Sequence, residues 1–155
     1  MSVPEVIPIA YEPDHRTSTI GRWDGGQFFA SVTIAFPEGW TAVGDWRKHQ
    51  RWYAVLHRFD AAGRYLESRI AFTGTTAQRE GEAGEAAAAL LDEWLDALPG
   101  RRYESIAIAP FTVRFEGVLF GLVVEEGHGE GGRDWAELYP DGLGFSAPWD
   151  GLYDT

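Results

Sequence analysis

The chain has 155 residues, 45% of them apolar and 24% charged, with nine Phe, seven Trp and six Tyr; this suits one globular domain over residues 1–155 and argues against a disordered chain. Its formal net charge of −11 disfavours direct nucleic-acid binding, because a polyanion is repelled at long range. Without cysteine there is no disulfide or thiol chemistry, and a metal would have only His and carboxylates to hold it.

The first ten residues hold two prolines and no base, so no signal peptide is expected there. No apolar run approaches the roughly 18 residues of a membrane span, and the expected location is cytoplasmic, away from membranes. Tyr11 to Thr17 packs Glu12, Asp14 and His15 together, but their spacing matches no ligand motif and Pro13 favours a turn.

Strand signals follow. Gln27 to Phe36 places Phe28, Ala30, Val32, Ile34 and Phe36 on one face and Gln27, Ser31 and Thr33 on the other. Asp24-Gly25-Gly26 joins it to Ile20–Trp23 with the positive φ angles that a tight hairpin needs. A second hairpin is expected from Arg51–Phe59 and Arg64–Phe72 around Asp60-Ala-Ala-Gly63, and a third from Phe111–Phe115 and Val118–Val124. One amphipathic helix is expected over Glu82–Leu98, with Ala87, Leu90, Leu91, Trp94 and Leu98 on one face. Thr75 and Gln78 have the spacing of an upstream capping box, and Arg101 and Arg102 sit where cations suit the helix end. The fold class is α+β: a mainly antiparallel sheet built from hairpins, with one long amphipathic helix packed on one face.

Two regions are candidates for function. Trp46, Arg47, His49 and Trp52 form the only cationic, Trp-rich cluster, and with His57 or Arg58 from the adjoining strand they could bind a small ligand. His57 also reads as an ordinary half-buried sheet histidine. The second region is the last 31 residues, Glu125–Thr155, which carry eight acids and one base. A Gly-rich loop, expected to be mobile and to expose His128, spans about 125–134. Here Glu125, Glu126 and Glu130 would steer a basic surface while Trp135, Tyr139, Trp149 and Tyr153 anchor to the body or to the partner. No phosphate loop, dinucleotide fingerprint, nucleophile elbow or zinc motif occurs, so no cofactor, metal or catalytic residue is expected.

Several of these stretches also occur together elsewhere. Ile7-Pro-Ile-Ala-Tyr-Glu-Pro-Asp14, Thr19-Ile-Gly-Arg22, Trp52-Tyr-Ala-Val-Leu-His-Arg-Phe-Asp60, Trp94-Leu-Asp-Ala-Leu-Pro99 and Trp135-Ala-Glu-Leu-Tyr-Pro140 resemble actinobacterial proteins labelled formate hydrogenlyase regulatory protein (HycA-like). The resemblance implies an anti-activator that dampens transcription by binding an activator protein, without catalysis or DNA contact of its own. The residues themselves leave three readings: a regulatory protein with a basic protein partner, an immunity-type protein that neutralises a toxin, or a small-molecule binder or enzyme. A homodimer through an open strand edge is a further possibility of the pattern.

Overall fold

In a computed structural model the described residues are 3–41, 44–79, 81–127 and 130–154, with Glu130 described by its backbone alone. They form three antiparallel sheets and one α-helix. The main sheet has the order β5-β4-β3-β2-β6, where β2 is Ile20–Trp23, β3 Gly26–Ala35, β4 Arg51–Phe59, β5 Tyr65–Thr75 and β6 Arg102–Tyr103. A second sheet has the order β11-β10-β9-β8, from β8 Phe111–Phe115, β9 Val118–Glu125, β10 Trp135–Tyr139 and β11 Leu143–Phe145. β1 (Ile7–Ile9) pairs with β7 (Ile106–Ile108) as a small third sheet.

All three expected hairpins form, and the first two turns show why. Trp23 pairs with Gly26 across the two-residue Asp24–Gly25 turn. In the second, the Asp60 carboxylate accepts the Ala62 and Arg64 amides, both at 2.9 Å, so one side chain ties down the loop backbone.

Helix α1 (Glu82–Asp96) lies on one face of the main sheet. Ala87, Leu91, Trp94, Leu95 and Leu98 pack against Phe28, Ala30, Ala54 and Leu56. The expected capping pair acts one turn too early. Gln78 Oε1 accepts the Thr75 amide at 2.7 Å, which closes a turn ahead of the helix. The N-cap itself is a left-handed Gly81 without a side-chain cap. Arg101 donates to the Leu95 carbonyl at the far end, as expected there, whereas Arg102 pairs with Glu104 at 3.0 Å.

The other face of the main sheet is covered as well. Phe29 and Phe59 meet Phe111, Leu122, Leu138 and Phe145 from the second sheet, with Ile7, Ile9 and Ile108 closing one end. Tyr53 and Val55 meet Val118 and Phe120 at the other end. The layers are therefore helix, sheet, sheet, and β3 and β4 are buried on both faces. This is why Gln27 and Thr33, the polar side of the alternation, are 1% and 5% exposed. Gln27 meets that burial by donating to the Ala61 carbonyl at 3.2 Å and accepting the Ala107 amide at 2.8 Å.

Candidate functional site

The alternation of β9 and β10 decides which C-terminal side chains share a surface. Leu122, Ala136 and Leu138 point inward, so Leu119, Val123, Glu125, Trp135, Glu137 and Tyr139 point outward. Register puts Trp135 opposite Glu125, and Glu137 opposite Val123. The indole of Trp135 lies flat over Gly144 of β11, where an added Cβ would meet the ring at 1.8 Å. Its Nε1 donates to Glu137 Oε1 at 3.2 Å. Burial, with Glu137 and Glu125 close by, holds the Tyr139 hydroxyl above its ordinary pKa, so it stays protonated and able to donate. The result is a half-buried apolar and aromatic face carrying two carboxylates.

This face continues into a cleft of about 370 Å³ between Tyr139, Pro140, Leu119 and Val118 on one side and Ile34 and Phe36 on the other. Ile34 and Phe36 are 41% and 36% exposed, and Phe36 stacks on Trp40 with centroids 4.3 Å apart.

Of the C-terminal candidates, Glu125, Trp135 and Tyr139 come together here. Glu126 is exposed at the end of β9, the Glu130 side chain and His128 lie outside what is described, and Trp149 and Tyr153 pack inward on the core. The Tyr153 hydroxyl accepts the Arg16 amide at 3.3 Å. In the described part of the Gly-rich loop the Gly127 amide donates to Asp134 at 3.0 Å, and Gly131 takes a left-handed conformation at φ +71°.

The cationic, Trp-rich candidate is divided: Arg47 lines an open cavity of about 550 Å³ with Asp45, Lys48, Thr76, Ala77 and Gln78, and the other candidates do not line it. Trp46 is 49% exposed at the start of a 3-10 turn (Trp46–Lys48) capped by Asp45, whose carboxylate the Arg47 amide and guanidinium hold below its usual pKa. His49 lies beside Trp40. Trp52 packs on Gly84 of α1 and donates to Thr76 Oγ1 at 2.8 Å. His57 and Arg58 leave β4 on opposite faces. Arg58 pairs with Glu67 and lies over Trp23. Alternation along β4 sends His57 to one face and Trp52 and Arg58 to the other, which separates what the sequence places side by side.

His57 is 2% exposed, edge-on to Phe111 at 4.8 Å, with Nδ1 2.6 Å from Ser68 Oγ, which is 2.8 Å from the Tyr65 hydroxyl. Burial lowers its pKa to about 3, so the ring is neutral. A histidine closed off between two sheets has no path to a substrate.

A larger cavity, about 590 Å³, opens between α1, the Tyr11–Thr19 segment and the middle of β3. The Asp141 side chain on its wall is 8% exposed, with Arg16 Nη2 at 3.6 Å. Burial raises the Asp141 pKa, and the Thr33 hydroxyl and Arg16 offset part of that rise. Arg16 makes its shorter bond to the Asp141 carbonyl, at 2.8 Å. Ser31 Oγ, also on this wall, is buried without a hydrogen-bond partner among the described residues. Sequence offered no signal for Asp141, which reads as an ordinary turn residue in Tyr139-Pro-Asp-Gly142.

No family model, curated protein or solved structure matches the chain. Among the described residues no helix is long and apolar enough to cross a membrane.

Proposed function

We propose that this is a regulatory protein that acts by contact with a basic protein partner, without catalysis and without binding DNA itself. The observation that carries it is the outer face of the second sheet, where Trp135, Tyr139, Leu119 and Val123 stand half-buried beside Glu125 and Glu137. Aromatic anchors beside carboxylates suit a protein contact of opposite charge, and Arg114, opposite Leu119 on the same face, is paired with Glu38 at 3.6 Å. The net charge of −11 extends that preference over the molecule. The likeness to HycA-like anti-activators, read from the sequence, points the same way. An immunity-type role would use the same face and differ in the partner, a toxin whose effect on cells co-expression relieves.

The test begins with capture of partners from source-cell lysate on the wild-type protein. The double variant Glu125→Lys/Glu137→Lys should slow association with the captured partner by about tenfold at low salt and flatten its salt dependence. Glu85→Lys, on the exposed side of α1, should leave the rate near wild type. Equal on-rates for the two variants would remove the second-sheet face from the contact.

A further inference from the structure

β3 has an open side. Its pairing with β2 ends at Phe29, Ala30 still donates to the Thr19 carbonyl at 3.0 Å, and the strand then runs on to Ala35 paired only with β4. Because the Ala30 amide points away from β4, strand geometry points the amides and carbonyls of Val32 and Ile34 the same way. Those groups have no backbone partner among the described residues.

Two cavities lie along this stretch. The 590 Å³ cavity is lined by Ala30, Ser31 and Val32, and the 370 Å³ cleft by Ile34, Ala35 and Phe36. Tyr139 and Pro140 line the cleft and the next residue, Asp141, lines the larger cavity, so the two adjoin at Pro140–Asp141 along the strand edge. The chemistry changes along this groove. One end offers the nearly buried Asp141 carboxylate, with Asp92 also lining the cavity. The other end offers Ile34, Phe36, Val118 and Leu119.

We propose that this groove takes an extended segment of the partner as an added strand on β3, with a Lys or Arg at Asp141 and an apolar side chain in the Ile34–Leu119 cleft. Main-chain groups of Val32 and Ile34 supply up to about four hydrogen bonds, and the two ends of the groove supply specificity. Asp141 and the cleft lie on the same side of β3, so the two anchoring side chains are separated by an even number of positions. A cationic group at Asp141 gives that buried carboxylate a closer countercharge than Arg16 does. β5 is also an edge strand, but its pairing with β4 is interrupted by two register shifts and it carries Glu67 and Arg69. Such features blunt an edge against pairing.

This rests on the reading of a basic protein partner and gives that partner's contact its form. The test is selection of random nonapeptides displayed on phage against the full-length wild-type protein. Enriched peptides should carry Lys or Arg at an even spacing from an apolar residue. Methylation of the peptide amides that face β3 should weaken binding by about thirtyfold, and methylation of the intervening amides should leave it unchanged. Ile34→Pro removes an outward amide that β4 does not use, and should cost about tenfold or more in peptide affinity. Asp141→Asn should weaken the peptides selectively at their basic position.

No enrichment, or enriched peptides indifferent to amide methylation, would overturn the added strand. The methylation series decides the matter even if Ile34→Pro disturbs folding. Peptides lost only in Glu125→Lys/Glu137→Lys would overturn the groove and leave the second-sheet contact standing. A lysate partner whose on-rate ignores that double variant, together with peptides that obey the methylation pattern, would separate the outcomes in the opposite direction.

Discussion

The wild-type protein is expected to lose stability as the pH falls below about 6.5, and His57→Leu to lose distinctly less. His57 has a folded pKa of about 3 against an ordinary 6.5, because burial between the sheets disfavours the imidazolium. Below 6.5 the unfolded chain takes up a proton that the folded chain refuses. The stabilisation is therefore complete above 6.5 and is lost as the pH drops toward 3, at up to ~1.4 kcal/mol per unit and on the order of 5 kcal/mol in all.

Asp141 has the opposite sign. Burial raises its pKa, so its contribution is present at low pH and is lost as the pH rises through its folded value. Comparing His57→Leu with wild type cancels that background. Urea unfolding at pH 7.5 and 5.5 stays clear of the isoelectric region near 4.7, and the two proteins should diverge by about 1 kcal/mol over that interval. Parallel loss in both would mean that His57 is not held neutral. Leucine leaves the Ser68 hydroxyl still bonded to Tyr65, so the substitution does not strand a buried polar group.

Gly121→Ala is expected to destabilise the fold by ~3 kcal/mol or more. Gly121 sits in the middle of β9, opposite Thr112 on one side and Tyr139 on the other, at φ +136°. A Cβ there would lie 2.1 Å from the Phe111 carbonyl oxygen. Two independent costs coincide: a backbone conformation that L-residues avoid, and a clash with main chain that is itself hydrogen-bonded in the sheet. Neither can be relieved by moving a side chain. The midpoint of urea denaturation should fall sharply; a shift of only a few tenths of a kcal/mol would mean that β8 and β9 can separate at little cost. Gly144→Ala acts differently, because its neighbour is the Trp135 indole. It should lift the ring from the sheet and change its fluorescence with a smaller loss of stability.

How much of this could be read in the chain follows from how local each interaction is. The three hairpins, the helix and its buried face were legible because their signals lie within about 25 residues: alternation, turn glycines and a period near 3.6. The second sheet was half legible. Phe111–Val124 declared itself, whereas Trp135–Tyr139 read as an acidic aromatic segment, since its strand partner β9 lies across a Gly-rich loop. β1 was hidden for a stronger reason: Ile7 pairs with Ile108, and no local pattern encodes a contact at that separation. The candidate surface fared similarly. Glu125, Trp135 and Tyr139 share a face because of register, while Trp149 and Tyr153 were claimed by the core. Asp141 was invisible because the groups that act on its carboxylate, Thr33 and Arg16, are both over a hundred residues away in sequence.

The region around residues 10–16 is held from the far end of the chain. The Ala10 amide donates to the Gly151 carbonyl at 2.9 Å, the Arg16 amide to the Tyr153 hydroxyl, and the Arg16 guanidinium to Asp141. Asp154 in turn bridges to Gly144 of β11. During synthesis, then, residues 7–16 emerge well before the segments that hold them. The helix and its hairpins can assemble on the ribosome while this leading strand still lacks both Ile106–Ile108 and the clasp at 151–154. Such late closure predicts a slow final step in refolding, and it makes residues 7–16 depend on segments that are made about a hundred residues or more after them.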